Sequence, residues 1–122
     1  RINEGLPYLK WVYDEKFKDY TINSLCVVNN ADEKVSDITA NCNVQIALTK
    51  NSTSNTTDCV IIAMYDMSDK FLGLTHMKIN MNSGQSITLG IPILNHNTEK
   101  IKAFVWDDIS TMKSLSNVGK FE

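Results

Sequence analysis

Apolar residues recur at every second position over most of this chain, and rarely with the 3.6-residue period of a helix. The clearest case is Ser86 to Ile93. Ile87, Leu89, Ile91 and Ile93 share one face, while Ser86, Thr88, Gly90 and Pro92 take the other. Proline has no N–H to donate, so this strand should end at Pro92 or lie at a sheet edge. Between Ala40 and Lys50, Cys42, Val44, Ile46 and Leu48 point one way, and Asn41, Asn43, Gln45 and Thr49 the other. Cys59 to Tyr65 is apolar on both parities, as a central strand covered on both faces would be. In Lys70 to Asn82 the later residues alternate, with Thr75, Met77, Ile79 and Met81 inward, and Gly73, where the pattern changes, predicts a bulge. Thr21 to Val28 and Lys100 to Trp106 complete the set of strands.

Asn29–Asp32, Asn51–Asp58, Asp66–Asp69, Asn82–Gln85 and Asn95–Thr98 separate these runs. Asparagine, aspartate, serine and glycine suit such positions because they tolerate or cap left-handed backbone. The spacing predicts an all-β fold of about six to eight strands, paired antiparallel in two packed sheets. Tyr8 to Phe17, aromatic and mixed in charge, reads as an irregular or extended lead-in. Residues 1–18 are thus set apart as a lead-in segment, and residues 19–122 are expected to form the sandwich.

Composition narrows the function. The 122 residues suffice for one core, and 43% are hydrophobic. Net charge is −2 with both signs interspersed, which argues against nucleic acid as a partner. No apolar run reaches the roughly 20 residues of a membrane-spanning helix. The chain opens at Arg1, so it is expected to be an excised or processed piece, with any export signal upstream. Cys26, Cys42 and Cys59 form no C-x-x-C pair and have no histidine nearby, which disfavours zinc. They read as small buried hydrophobes, with a Cys42–Cys59 bridge plus one free thiol as the alternative.

No catalytic constellation emerges, and none is expected, nor any cofactor or metal. No serine or cysteine sits in a G-x-S-x-G context, and His76 and His96 fall on an exposed strand face and in a turn. The pairs Asp66 with Asp69 and Asp107 with Asp108 suit turns better than general acid–base work. Asp66, Ser68 and Asp69 offer calcium several hard oxygens, yet a plain hairpin turn explains them more simply. Asn51-Ser52-Thr53 and Asn55-Thr56-Thr57 match the glycosylation sequon, which matters only in a eukaryote. Exposed rings could stack on sugars, and two groups qualify: Phe104 and Trp106, sharing a strand face with Lys102, and the cluster Tyr8, Trp11, Tyr13, Phe17 and Tyr20. Large rings usually pack in a core, or here beneath the chain's ends, and that placement is expected for both groups.

The run Lys102-Ala103-Phe104-Val105-Trp106-Asp107-Asp108-Ile109-Ser110-Thr111-Met112-Lys113-Ser114-Leu115 resembles the closing motif of a module common in secreted clostridial (Firmicutes) proteins. Val60 to Asp66, Phe71 to Leu74 and Gly84 to Thr88 resemble other strands of that fibronectin type III-like or immunoglobulin-like module. The likeness covers about residues 20–118, and departs at Ser114, where the family usually has proline. Ile2 to Trp11 is similar to the segment that follows GLUG-type repeats in surface proteins of anaerobes, which implies that residues 1–18 end an upstream domain. The resemblance implies a non-catalytic accessory or spacer domain, extracellular or at the cell surface, attached to adhesins or polysaccharide-degrading enzymes. Its implied partners are other domains of the parent protein, or a polysaccharide or host surface. The alternative is a carbohydrate-binding or adhesin-type module, for which Trp11, Tyr13, Phe104 and Trp106 are the candidate contacts. Asp107 is expected to cap a turn as part of a structural corner, with Met112 and Leu115 folding back onto the sandwich. An exposed edge strand could also support self-association.

Overall fold

The computed structural model describes residues 19–39, 41–95 and 97–122. The lead-in with Trp11 and Tyr13, and His96, lie outside the described residues. Among those described, the chain forms eight strands: β1 Tyr20–Val28, β2 Lys34–Val35, β3 Asn43–Lys50, β4 Asp58–Tyr65, β5 Phe71–Ile79, β6 Ser86–Pro92, β7 Lys100–Trp106 and β8 Gly119–Phe121. They make two four-stranded sheets, ordered β2-β1-β3-β6 and β5-β4-β7-β8, and every pairing between strands is antiparallel. The chain changes sheet at the 51–57, 80–85 and 93–99 connections. The fold is an all-β sandwich.

Period-two alternation places the core. Val44, Ile46 and Leu48 of β3 face Val60, Ile62 and Met64 of β4 and Ile101, Ala103 and Val105 of β7 across the gap between sheets. Residues of opposite parity on β3 are only half-buried. β6 lies at the edge of its sheet and ends at Pro92, where the missing N–H is harmless.

Two bulges break the alternation. On β1 the register jumps between Ile22 and Ser24, so Asn23 is extra and the inward set shifts from Tyr20 and Ile22 to Leu25 and Val27. The backbone freed at this bulge is tied by Asn117, whose Oδ1 accepts from Ile22 N at 2.7 Å and whose Nδ2 donates to Ile22 O at 3.1 Å. On β5 Gly73 pairs with Met64 and Phe71 with Tyr65, leaving Leu72 extra. Gly73 sits there at φ 150°, a value side chains rarely permit.

All three cysteines are free, with Cys42 and Cys59 buried. A Cys42–Cys59 bridge fails on geometry. Cys42 precedes β3 and Cys59 follows the whole of β3 plus a connection, so β3's eight residues, about 26 Å, separate their ends of the sandwich. Cys42 joins the core of one sheet, whereas Cys59 has the outward parity of the other.

Candidate functional site

The central strand β4 is buried along both faces, with Cys59, Ile61 and Ala63 at 2%, 0% and 3% exposure on the side away from the core. Register defines that outward face. Cys59 lies between Lys78 and Trp106, Ile61 between His76 and Phe104, and Ala63 between Leu74 and Lys102. Phe104 and Trp106 thus stand opposite in parity to Ile101, Ala103 and Val105, which fill the core. Of the two placements expected for these rings, the core does not hold, and cover by the N-terminal end of the chain falls on residues outside the described ones. Both are half-buried, and their centroids lie 4.9 Å apart with the planes tilted by 45°. Such a tilted contact suits the quadrupoles of two aromatic rings better than a face-to-face sandwich. Tyr65 and Phe71 form a second pair at 5.7 Å, edge to face, at the other end of the face, and Lys102 places its ammonium 5.2 Å from the Tyr65 centroid.

Beyond Trp106 the chain turns a corner. Asp107 Oδ1 accepts from Asp108 N at 2.8 Å, Lys113 N at 3.0 Å and the Thr111 hydroxyl at 2.6 Å. The Thr111 hydrogen bond, aided by the two backbone N–H groups, holds the Asp107 carboxyl below its ordinary pKa. Asp108 is lowered likewise, chiefly by hydrogen bonds from Ser110. Leu115 enters the core, and its carbonyl accepts from Tyr20 N at 2.9 Å. Met112 does not fold back: it occupies the left-handed position of the turn, at φ 56°, and is 57% exposed. Ser114, at the position where the resembled family has proline, pairs its backbone with Trp106.

One oxygen of each aspartate in the β4–β5 turn is engaged within the protein. Asp66 Oδ1 accepts from Ser68 N and Lys70 N, each at 2.9 Å, and Asp69 pairs with Lys100 Nζ at 2.9 Å. The ion pair lowers the Asp69 pKa and raises that of Lys100. No cluster of three or more metal-ligating His, Cys, Asp or Glu side chains occurs among the described residues.

One constellation escaped the sequence reading. Tyr20, Lys50 and Asp58 are buried at 0%, 0% and 2% exposure where the two sheets meet. The Tyr20 hydroxyl donates to Asp58 Oδ2, as does Thr56 Oγ1 at 3.0 Å. Lys50 Nζ donates to the carbonyls of Met81, at 3.0 Å, and Ser54, and lies 5.8 Å from the centre of the Tyr20 ring. Burial, and then the hydrogen bond to Asp58, push the Tyr20 pKa well above its ordinary value. A signal did exist: Lys50 continues the inward parity of Val44, Ile46 and Leu48.

No family model matches the chain, and no curated protein matches it. Among the described residues no helix is long and apolar enough to cross a membrane.

Proposed function

We propose that this chain is a non-catalytic accessory or spacer domain of an exported bacterial multi-domain protein, extracellular or at the cell surface, and of the immunoglobulin-like or fibronectin type III-like kind. The carrying observation is the partition of strands: β1, β3 and β6 share one sheet, while β4, β7 and β8 share the other with β5 beside β4. An immunoglobulin-like sandwich divides its strands this way, and the variable type adds its extra strands to the same sheet. The stretch that resembles the clostridial closing motif is also the stretch that turns from β7 into the Asp107 corner. Fractionating the source cells with an antibody to the domain tests the reading. Detection in medium or envelope supports it, and confinement to the cytosol overturns it.

A second reading, carbohydrate binding, is favoured by the Phe104–Trp106 pair, because rings turned away from the core offer faces on which pyranose C–H groups stack. Affinity electrophoresis through polysaccharide gels tests it. Retardation that Trp106→Ala removes, with the circular dichroism spectrum unchanged, supports the reading. Unretarded migration through every gel sinks it.

A further inference from the structure

The outward faces of the two sheets differ sharply in chemistry. On the first sheet the outward positions of β3 and β6 hold Asn43, Gln45, Ala47, Thr49, Ser86, Thr88, Gly90 and Pro92, with neither a charge nor an aromatic ring. The ladder is closed on itself: Thr49 Oγ1 lies 2.8 Å from both Ser86 Oγ and Asn23 Nδ2. The second sheet concentrates rings and cations instead. Its outward positions include Lys78 on β5, Lys102 on β7 and Lys120, the register partner of Lys102, on β8, all exposed, along with the exposed His76. No carboxylate takes an outward position on these four strands, since Asp58, the one acidic residue within them, points inward and is buried. Among the described residues, acidic groups stand at the ends of the face: Asp69 and Glu122 share a cleft with Lys100 and Lys102, and Asp108 lies near enough to Lys78 to feel its charge. On a chain of net charge −2, a sheet face whose described outward strand positions carry lysines and no carboxylate is a local inversion of sign.

We infer that this face binds an acidic polysaccharide, of the uronate-bearing class, an inference that rests on the carbohydrate reading and specifies its ligand. Along β7 a point charge at Lys102 is followed by the Phe104–Trp106 ring pair, at backbone positions about 7 Å apart because strand residues rise about 3.4 Å each. A uronate chain has a matching make-up: each sugar offers an apolar C–H face and a single carboxylate. The cations are lysines; the chain's one arginine, Arg1, lies outside the described residues. A lysine ammonium is a point charge that imposes no two-point geometry, so spacing rather than fork geometry sets the match. Lysines spread among rings match one carboxylate per sugar, a lower charge density than that of a sulfated polymer or a nucleic acid strand.

Affinity electrophoresis of the full chain in gels of polygalacturonate, its fully methyl-esterified form, dextran sulfate and oligothymidylate tests the inference. Retardation should be greatest with polygalacturonate, fall on esterification, and weaken as sodium chloride rises past 0.1 M, where screening acts within about 10 Å. The exposed double substitution Lys78→Gln/Lys102→Gln should weaken the apparent affinity about three- to thirtyfold, as loss of two exposed ion pairs does, without altering the melting temperature by more than a few degrees. Equal retardation by the free and esterified polymers would overturn the charge argument and leave sugar stacking standing. Equal or stronger retardation by dextran sulfate or oligothymidylate overturns the choice of a uronate. Absence of retardation in all four gels overturns both this inference and the carbohydrate reading.

Discussion

The Tyr20 hydroxyl donates to Asp58 Oδ2 at 2.5 Å, joining the first residue of β1 in one sheet to the first residue of β4 in the other. Sandwich sheets adhere through apolar contact, which resists separation but sets position only loosely. A hydrogen bond buried between the sheets adds direction, because sliding one sheet would strand both polar groups away from water. Lys50, the register partner of Tyr20, extends the same cluster to the Ser54 and Met81 carbonyls.

Tyr20→Phe is expected to lower stability by about 1–3 kcal/mol, because among the described residues Asp58 keeps only Thr56 as a side-chain donor in a buried place. The pH dependence carries a clear sign. The folded pKa of Tyr20 lies above its ordinary value of 10.0, so its contribution is complete below pH 10 and is lost as pH rises further. Urea melts at pH 8 and pH 11 should show wild type losing more stability than Tyr20→Phe. Equal losses in the two proteins would remove Tyr20 as the cause.

Lys50→Met tests the other arm of the cluster. Methionine matches the length of the stem but leaves the Ser54 and Met81 carbonyls without their donor, at an expected cost of about 2–4 kcal/mol. A denaturant midpoint equal to or above that of wild type would mean that desolvating the ammonium had offset its hydrogen bonds.

The strands were legible wherever alternation ran uninterrupted, as along Val44, Ile46 and Leu48, or Ile87, Leu89 and Ile91. β2 and β8 were not, because two and three residues are too few to display a period. The inward set of β1 was hidden by the extra Asn23, which moves burial from one parity to the other midway. Residue type misled at Lys50 and Asp58: charged side chains are rarely buried, so their polarity outweighed their parity. The converse occurred on β7. There Ile101, Ala103 and Val105 already claim the core, which obliges Phe104 and Trp106 to face outward despite their size. Pairing across strands is set by the turns and tertiary contacts, so the company of lysines around those rings could not be read along the chain.

Asp107→Ala should lower the melting temperature at pH 7 by several degrees, as it removes one oxygen that gathers three donors. Since the folded pKa lies below the ordinary 3.8, the carboxylate's contribution is complete above about pH 4 and is lost as pH falls through the lower folded value. The gap between wild type and variant should therefore narrow from pH 5 to pH 2. A constant gap across that range would assign the loss to packing rather than to the charge.

Thiol labelling reads the burial of the three cysteines at once. Cys26 is half-buried on β1, with its Sγ 3.7 Å from Gln45 Oε1, whereas Cys42, just before β3, and Cys59, on β4, are 2% exposed. A buried thiol reacts only when the structure opens, so iodoacetamide should add to Cys26 at least about a hundredfold faster than to the other two. Intact-mass spectra should show one adduct in native buffer and three in guanidinium. Cys59 is the informative site, because it lies in register with Trp106 on the outward face of the second sheet. If Cys59 labelled as fast as Cys26 while Cys42 stayed protected, the core would stand but the outward face of β4 would be open to solvent. The ring and lysine surface would then lose the rigid floor that Cys59 and Ile61 supply beneath it.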